Sequence, residues 1–124
     1  MVNEMLTVKE AVDLLNETMY LGGATHWFRD GGKRYTVGNG NKGITFVLSE
    51  KSVEPAYIAH VADTFENIHY GQGIGFWLDK GTLYVDPVWN YDDLDTALTV
   101  ARQYNELAIY DNDEGEVIKV CYDL

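Results

Sequence analysis

The chain has 124 residues and carries 20 acidic against 9 basic side chains, a formal net charge of −11. That length suits one domain, residues 1–124, and a content of 46% hydrophobic and 13% aromatic residues can bury enough apolar surface to offset the ordering entropy, which excludes wholesale disorder. The negative charge repels phosphate backbones and anionic head groups and so argues against direct binding to nucleic acid or to a membrane surface, and no apolar run is long enough to cross a bilayer.

The opening MVNEMLTVKE shows neither a basic leader nor an export segment, and the single cysteine, Cys121, has no intrachain partner for a disulfide. The expectation is a soluble, cytoplasmic protein. Thr7-Val8-Lys9-Glu10 spells a capping box, so a helix should start there, with Val8, Ala11, Val12, Leu15 and Met19 on its apolar face and Glu10, Asp13 and Glu17 opposite. Gly22-Gly23 ends it. Ala24 to Arg29 and Lys33 to Val37 read as strands joined by Asp30-Gly31-Gly32, and Gly43 to Ser49 reads as a third. Between them Gly38 to Gly43 is expected to be a mobile hairpin loop. Pro55 suits a first helical position, with Ile58, Val61, Phe65 and Ile68 as the buried face of a second helix.

The stretch from Gly73 to Asp111 alone spells strand, turn, strand, helix and strand. Ile74, Phe76 and Leu78 alternate with Gly75, Trp77 and Asp79, while Leu83 and Val85 alternate with Tyr84 and Asp86. Asp79-Lys80-Gly81 should close the hairpin after a type I turn, and Asp86-Pro87 should end the second strand. Asp92 or Asp93 caps a third helix with Leu94, Ala97, Leu98, Ala101 and Tyr104 at helical spacing, Asn105 stops it, and a last hairpin turns through Asp111 to Gly115. Three helices and about six or seven strands joined by short turns predict the α+β class: a mainly antiparallel sheet with the helices packed on one face or one end.

No catalytic, metal or cofactor motif emerges. The glycines of GQGIG precede a strand rather than a helix, and GNGNKGIT lacks a lysine directly after its last glycine. Asp111, Asp113 and Glu116 sit on a turn, but Gly115 arrives one place too early for a helix-loop-helix calcium loop. His26, His60 and His69 form no HxxxH or HExxH pair, and Cys121 on a strand reads as a small packing residue. The aromatics Trp27, Trp77, Trp89 and Tyr91 could stack on a sugar ring, yet no carboxylate pair is singled out as acid and base, and strand aromatics ordinarily fill a core.

Three acidic clusters remain: Glu10, Asp13 and Glu17; Asp86, Asp92, Asp93 and Asp95; and Asp111, Asp113, Glu114 and Glu116. Helix termini and charged turns explain some of these carboxylates locally, but their mutual repulsion lowers stability, which favours a functional acidic surface. The pattern GIGFWLDKGTLYVDP followed by DLDTALTVARQYNELAIYD resembles small uncharacterised acidic proteins of prophages and conjugative elements, over residues 43 to 119. That resemblance implies a setting in which short acidic proteins inhibit host defence enzymes, as antirestriction and anti-CRISPR proteins do. The expected function is therefore non-enzymatic: the three clusters, with Trp89 or Tyr91 as a desolvated anchor, occupy the basic channel of a host nucleic-acid-binding protein in place of phosphates. The alternative is a small-ligand module, a signalling-nucleotide sponge or glycan binder, built near the Gly38 to Gly43 loop with Arg29, Lys33, Arg34 and Lys42. An exposed aromatic patch or unpaired strand edge would also permit a homodimer.

Overall fold

A computed structural model describes residues 6–122. The elements in chain order are α1 (Val8–Leu21), β1 (Gly23–Trp27), β2 (Tyr35–Gly38), β3 (Ile44–Val47), α2 (Pro55–Asn67), β4 (Gly73–Asp79), β5 (Thr82–Tyr91), α3 (Leu94–Gln103), β6 (Ala108–Asp111) and β7 (Glu116–Lys119), with a 3₁₀ turn at Gly40–Lys42. All seven strands join one sheet in the order β1-β4-β5-β2-β6-β7, with β3 beside β5, and every pairing is antiparallel. The molecule is thus α+β.

Local chemistry fixes several boundaries as expected. The Thr7 hydroxyl accepts from the Glu10 N–H at 3.0 Å and the Glu10 carboxylate accepts from the Thr7 N–H at 3.1 Å, which completes the capping box of α1. Pro55 opens α2, Asp93 rather than Asp92 caps α3, and Asn105 follows α3 with φ 58°, the left-handed conformation that ends helices. At the β4–β5 hairpin Asp79 faces Thr82, so the loop is the two residues Lys80 and Gly81, with φ of 50° and 79°. Two positive φ values define a primed turn, whose twist suits the strands better than the expected type I turn.

The register places Leu78, Phe76, Ile74, Leu83, Val85, Phe46, Val37 and Ile109 on one face of the sheet, and all three helices cover that face. Two core clusters result. Under α1 and α2, Ala11, Leu14, Ile58, Val61 and Phe65 meet β3, β4 and β5; under α3, Ala97 and Ala101 meet Tyr35, Val37, Ile109 and Val120. The buried face of α1 differs from the expected one. Ala11, Leu14 and Thr18 point inward, while Val8, Val12 and Met19 are exposed. Small side chains at Ala11 and Thr18 allow a close approach, and the Thr18 hydroxyl is satisfied by donating to the Leu14 carbonyl at 2.7 Å.

Three further expectations about strands are corrected by long-range pairing. The first two strands do not form a hairpin: β1 pairs with β4, whereas β2 lies between β5 and β6. The Gly38 to Gly43 stretch is not a hairpin loop either, because β2 and β3 do not pair but share one edge of β5, β2 along Val88 to Tyr91 and β3 along Thr82 to Val85. Finally, β5 runs straight through Pro87. The Pro87 carbonyl accepts from the Asn39 N–H at 2.8 Å, so its donor-less nitrogen faces the interval between β2 and β3, where no strand needs a partner.

At the far end of β5 Asn90, 1% exposed, ties the open β1–β2 connection to the sheet. Its amide donates to the Asp30 carbonyl and the Gln72 side chain, its Oδ1 accepts from the Lys33 N–H, and its own N–H donates to Gln72. Asn90→Ala leaves those buried partners unsatisfied, and we expect a loss of about 1–3 kcal/mol in urea denaturation, with faster amide exchange across residues 28–34.

Candidate functional site

Apart from Asp86, the acidic residues of the three sequence clusters divide between two places. Glu10, Asp13 and Glu17 are exposed on α1, which packs on β1, β4 and α2; Asp13 is paired with Lys9 at 3.2 Å and Glu10 is held below its ordinary range chiefly by the Thr7 N–H. The second and third clusters come together instead. Through β2, Tyr91 at the end of β5 and Asp111 at the end of β6 both face Tyr35, so the α3 N-terminus and the β6–β7 turn sit at the same end of the sheet, about 10 Å apart in backbone spacing. Asp92, Asp93 and Asp95 project there from one side and Asp113, Glu114 and Glu116 from the other, all exposed.

Within that end some carboxylates have structural duties. Asp93 caps α3, accepting from the Thr96 hydroxyl and Thr96 N–H at 2.8 Å each, and these bonds lower its pKa. Asp111 is buried and accepts a bidentate pair from Arg34 at 3.0 and 2.9 Å as well as the N–H groups of Asp113 and Glu114, so it is held below the usual carboxylate range chiefly by Arg34. Asp113 shares that guanidinium at 3.7 Å. Among the described residues Asp92, Asp95, Glu114 and Glu116 form no ion pair. Tyr91 is half-buried among the α3 cluster, with its hydroxyl pKa raised by burial and then by Tyr104; the Trp89 Nε1 is fully enclosed without a hydrogen-bond partner.

Asp86 belongs to neither group. It sits in the interval between β2 and β3, where the glycine turn closes against it: a Cβ on Gly43 would overlap its carboxylate, and one on Gly38 would lie 3.6 Å from an oxygen of Asp86 and 3.6 Å from an oxygen of Glu106. Glu106, just beyond α3, accepts from the Gly40 N–H at 2.6 Å. Two half-buried carboxyls therefore share one site, and neither forms an ion pair among the described residues. Burial, with the nearby Glu106 second, pushes Asp86 up to about 7, and burial also raises Glu106 against the opposing pull of the Gly40 N–H. Glu106 carries no recognisable motif. The glycines at 38, 40 and 43, which mark a close approach of backbone to another group, were its only trace in the sequence.

The basic residues near that turn do not gather into an anion site. Arg29 donates to the Gly71 carbonyl at 2.8 Å, Arg34 is held by Asp111, and Lys42 lies 5.2 Å from the centroid of the Tyr70 ring. A depression lined by Phe28, Arg29, Glu66, Asn67 and His69 encloses about 230 Å³, below the ~300–1,000 Å³ usual for small-molecule sites. Among the described residues no three His, Cys, Asp or Glu side chains converge as metal ligands, and no helix is long and apolar enough to span a membrane.

The carboxyl pair makes stability depend on pH. Folding raises the pKa of Asp86, so the native state keeps a proton that the unfolded chain releases; this contribution is fully present below about pH 4 and is lost as pH rises through about 7. Glu106 acts in the same direction. Asp111, Asp93 and Glu10 act oppositely, but their window lies below the ordinary carboxylate range, so the interval from about pH 5 to 8 isolates the pair. We expect unfolding free energy to fall by on the order of 2–4 kcal/mol across that interval in urea titrations, and Asp86→Asn to flatten most of the slope.

No protein-family model matches the chain, and neither a curated protein nor a solved structure matches it.

Proposed function

We propose that the protein is a non-enzymatic acidic interaction protein that binds the basic surface of a nucleic-acid-binding protein through the end of the sheet formed by the α3 N-terminus and the β6–β7 turn. The observation that carries this reading is the meeting there of Asp92, Asp93, Asp95, Asp113, Glu114 and Glu116, drawn from two separate segments, of which only Asp113 is ion-paired among the described residues, to Arg34. Helix capping requires only Asp93, and the hairpin turn requires only Asp111. Asp92, Asp95, Glu114 and Glu116 form no ion pair among the described residues and repel one another, a cost that a cationic partner would relieve.

The mechanism is electrostatic competition. Lysines and arginines that hold phosphates would meet these carboxylates, with encounter accelerated by the net charge of −11 and weakened by salt. The acidic residues of α1 stand over the other half of the sheet and are not needed for this contact. A host or defence protein that handles DNA or guide RNA is the partner class in which such competition inhibits, which is the setting implied by the prophage resemblance.

The test is capture of basic nucleic-acid-binding proteins from bacterial lysate across a salt series, followed by displacement with DNA. The quintuple variant Asp92→Asn, Asp95→Asn, Asp113→Asn, Glu114→Gln and Glu116→Gln leaves the Asp93 cap and the Asp111–Arg34 pair intact. We expect it to melt cooperatively like the parent while retention falls about tenfold or more at low salt, and DNA should release what the parent holds. Equal retention by the variant, or a complex indifferent to both salt and DNA, contradicts the reading.

A further inference from the structure

All three helices cover one face; the opposite face is closed near Asn90 by the β1–β2 connection, with Val88 and Thr36 buried beside it, but is open around Trp77 and Tyr84. Register aligns Gly23, Trp77, Tyr84 and Thr45 in one row across β1, β4, β5 and β3, and Thr25, Gly75 and Asp86 in the next. Trp77 is 47% exposed and Tyr84 37%, facing each other two residues from the β4–β5 turn. Asp86 lies two residues beyond Tyr84 on the same strand and therefore on the same face, about 7 Å along it. Glu106 joins Asp86 across Gly38. An aromatic pair thus adjoins a carboxyl pair that has no counter-ion among the described residues.

The chemistry of that juxtaposition selects the occupant. Exposed indole and phenol faces beside carboxylates suit a guanidinium or ammonium group, which stacks on the rings and pairs with the oxygens. A second copy of the chain is disfavoured, since each carries −11 and would bring one carboxyl pair onto another. We propose that the open face is a docking surface for an extended, arginine- or lysine-bearing segment of a partner protein, whose cation packs on Trp77 and Tyr84 and is met by Asp86 and Glu106. This surface is distinct from the acidic end, because Asp86, its nearest residue on β5, is about 17 Å along the strand from Tyr91. It shares with that reading only the positive charge of the partner.

Binding should also respond to pH. The groups facing Asp86 are Glu106 from the segment after α3 and the Gly38 to Gly43 turn, whose one cation, Lys42, is turned onto Tyr70; Lys119 on β7, opposite Ala108, shares the face without an ion pair among the described residues. Cation docking requires Asp86 ionised, so affinity should rise between about pH 6 and pH 8.

The experiment titrates the full chain with N-acetylated hexa-arginine amide, hexa-lysine amide and a hexa-glutamine control, following tryptophan fluorescence and two-dimensional NMR. We expect saturable binding of the arginine peptide, weaker binding of the lysine peptide and none of the control, with resonances of Thr25, Thr45, Trp77 and Tyr84 shifting. Trp77→Ala, Tyr84→Ala and the near-isosteric Asp86→Asn should each weaken binding about tenfold, and Asp86→Asn should remove its pH dependence. Failure of the wild type to bind, or unchanged affinity in folded Trp77→Ala and Asp86→Asn, overturns the proposal. Loss confined to the quintuple variant of the acidic end overturns it too, while leaving the proposed function standing; the converse pattern, loss only in the open-face variants, supports this surface and leaves the acidic end to its own test.

Discussion

The structure depends on one long strand serving two short ones along a single edge. β5 gives its last four residues to β2 and its first four to β3, and between them Asp86 and Pro87 have no strand partner on that side. The chain crosses this interval with Asn39 to Gly43, a turn whose N–H groups bond to the Pro87 carbonyl and the Glu106 carboxylate. A proline is tolerated in a central strand because its missing donor faces the interval. A carboxyl pair is brought together for the same reason, since Gly38 and Gly43 leave room where side chains would otherwise stand.

That arrangement separates two kinds of acidic residue that composition alone treats alike. Asp93 and Asp111 are compensated by hydrogen bonds or an arginine, and their pKa values fall. Asp86 and Glu106 are half-buried together with no ion pair among the described residues, and theirs rise. The exposed residues at the α3 and β6–β7 end are neither, and their mutual repulsion is the physical ground for reading that end as a contact surface.

Much of the fold was legible locally. Thr7 and Glu10, Pro55, Asp93 and Asn105 each carry their boundary in side-chain chemistry with neighbours three or four residues away, and the alternation of Ile74 to Leu78 identifies β4 and its inward face. What failed was non-local. Nothing near Trp27 says that its strand pairs with β4 rather than with the next strand, and Pro87 stops a strand by every local rule until its nitrogen is known to face a gap. The site was less legible still. Proximity in sequence groups Asp86 with the acidic residues that follow it, whereas its partner Glu106 lies beyond α3 and meets it across the Gly38 to Gly43 turn.

The most direct test of this account is a pH titration of side-chain carboxyl carbons by NMR on the isotopically labelled protein. Asp86 should titrate with a midpoint of about 7, falling when Glu106 is replaced by Gln, and Glu106 above the ordinary range for glutamate, while Asp111 stays ionised below that range. If Asp86 and Glu106 instead ionise independently in the usual carboxylate range, the uncompensated pair does not exist and the open face loses the feature that would attract a cation.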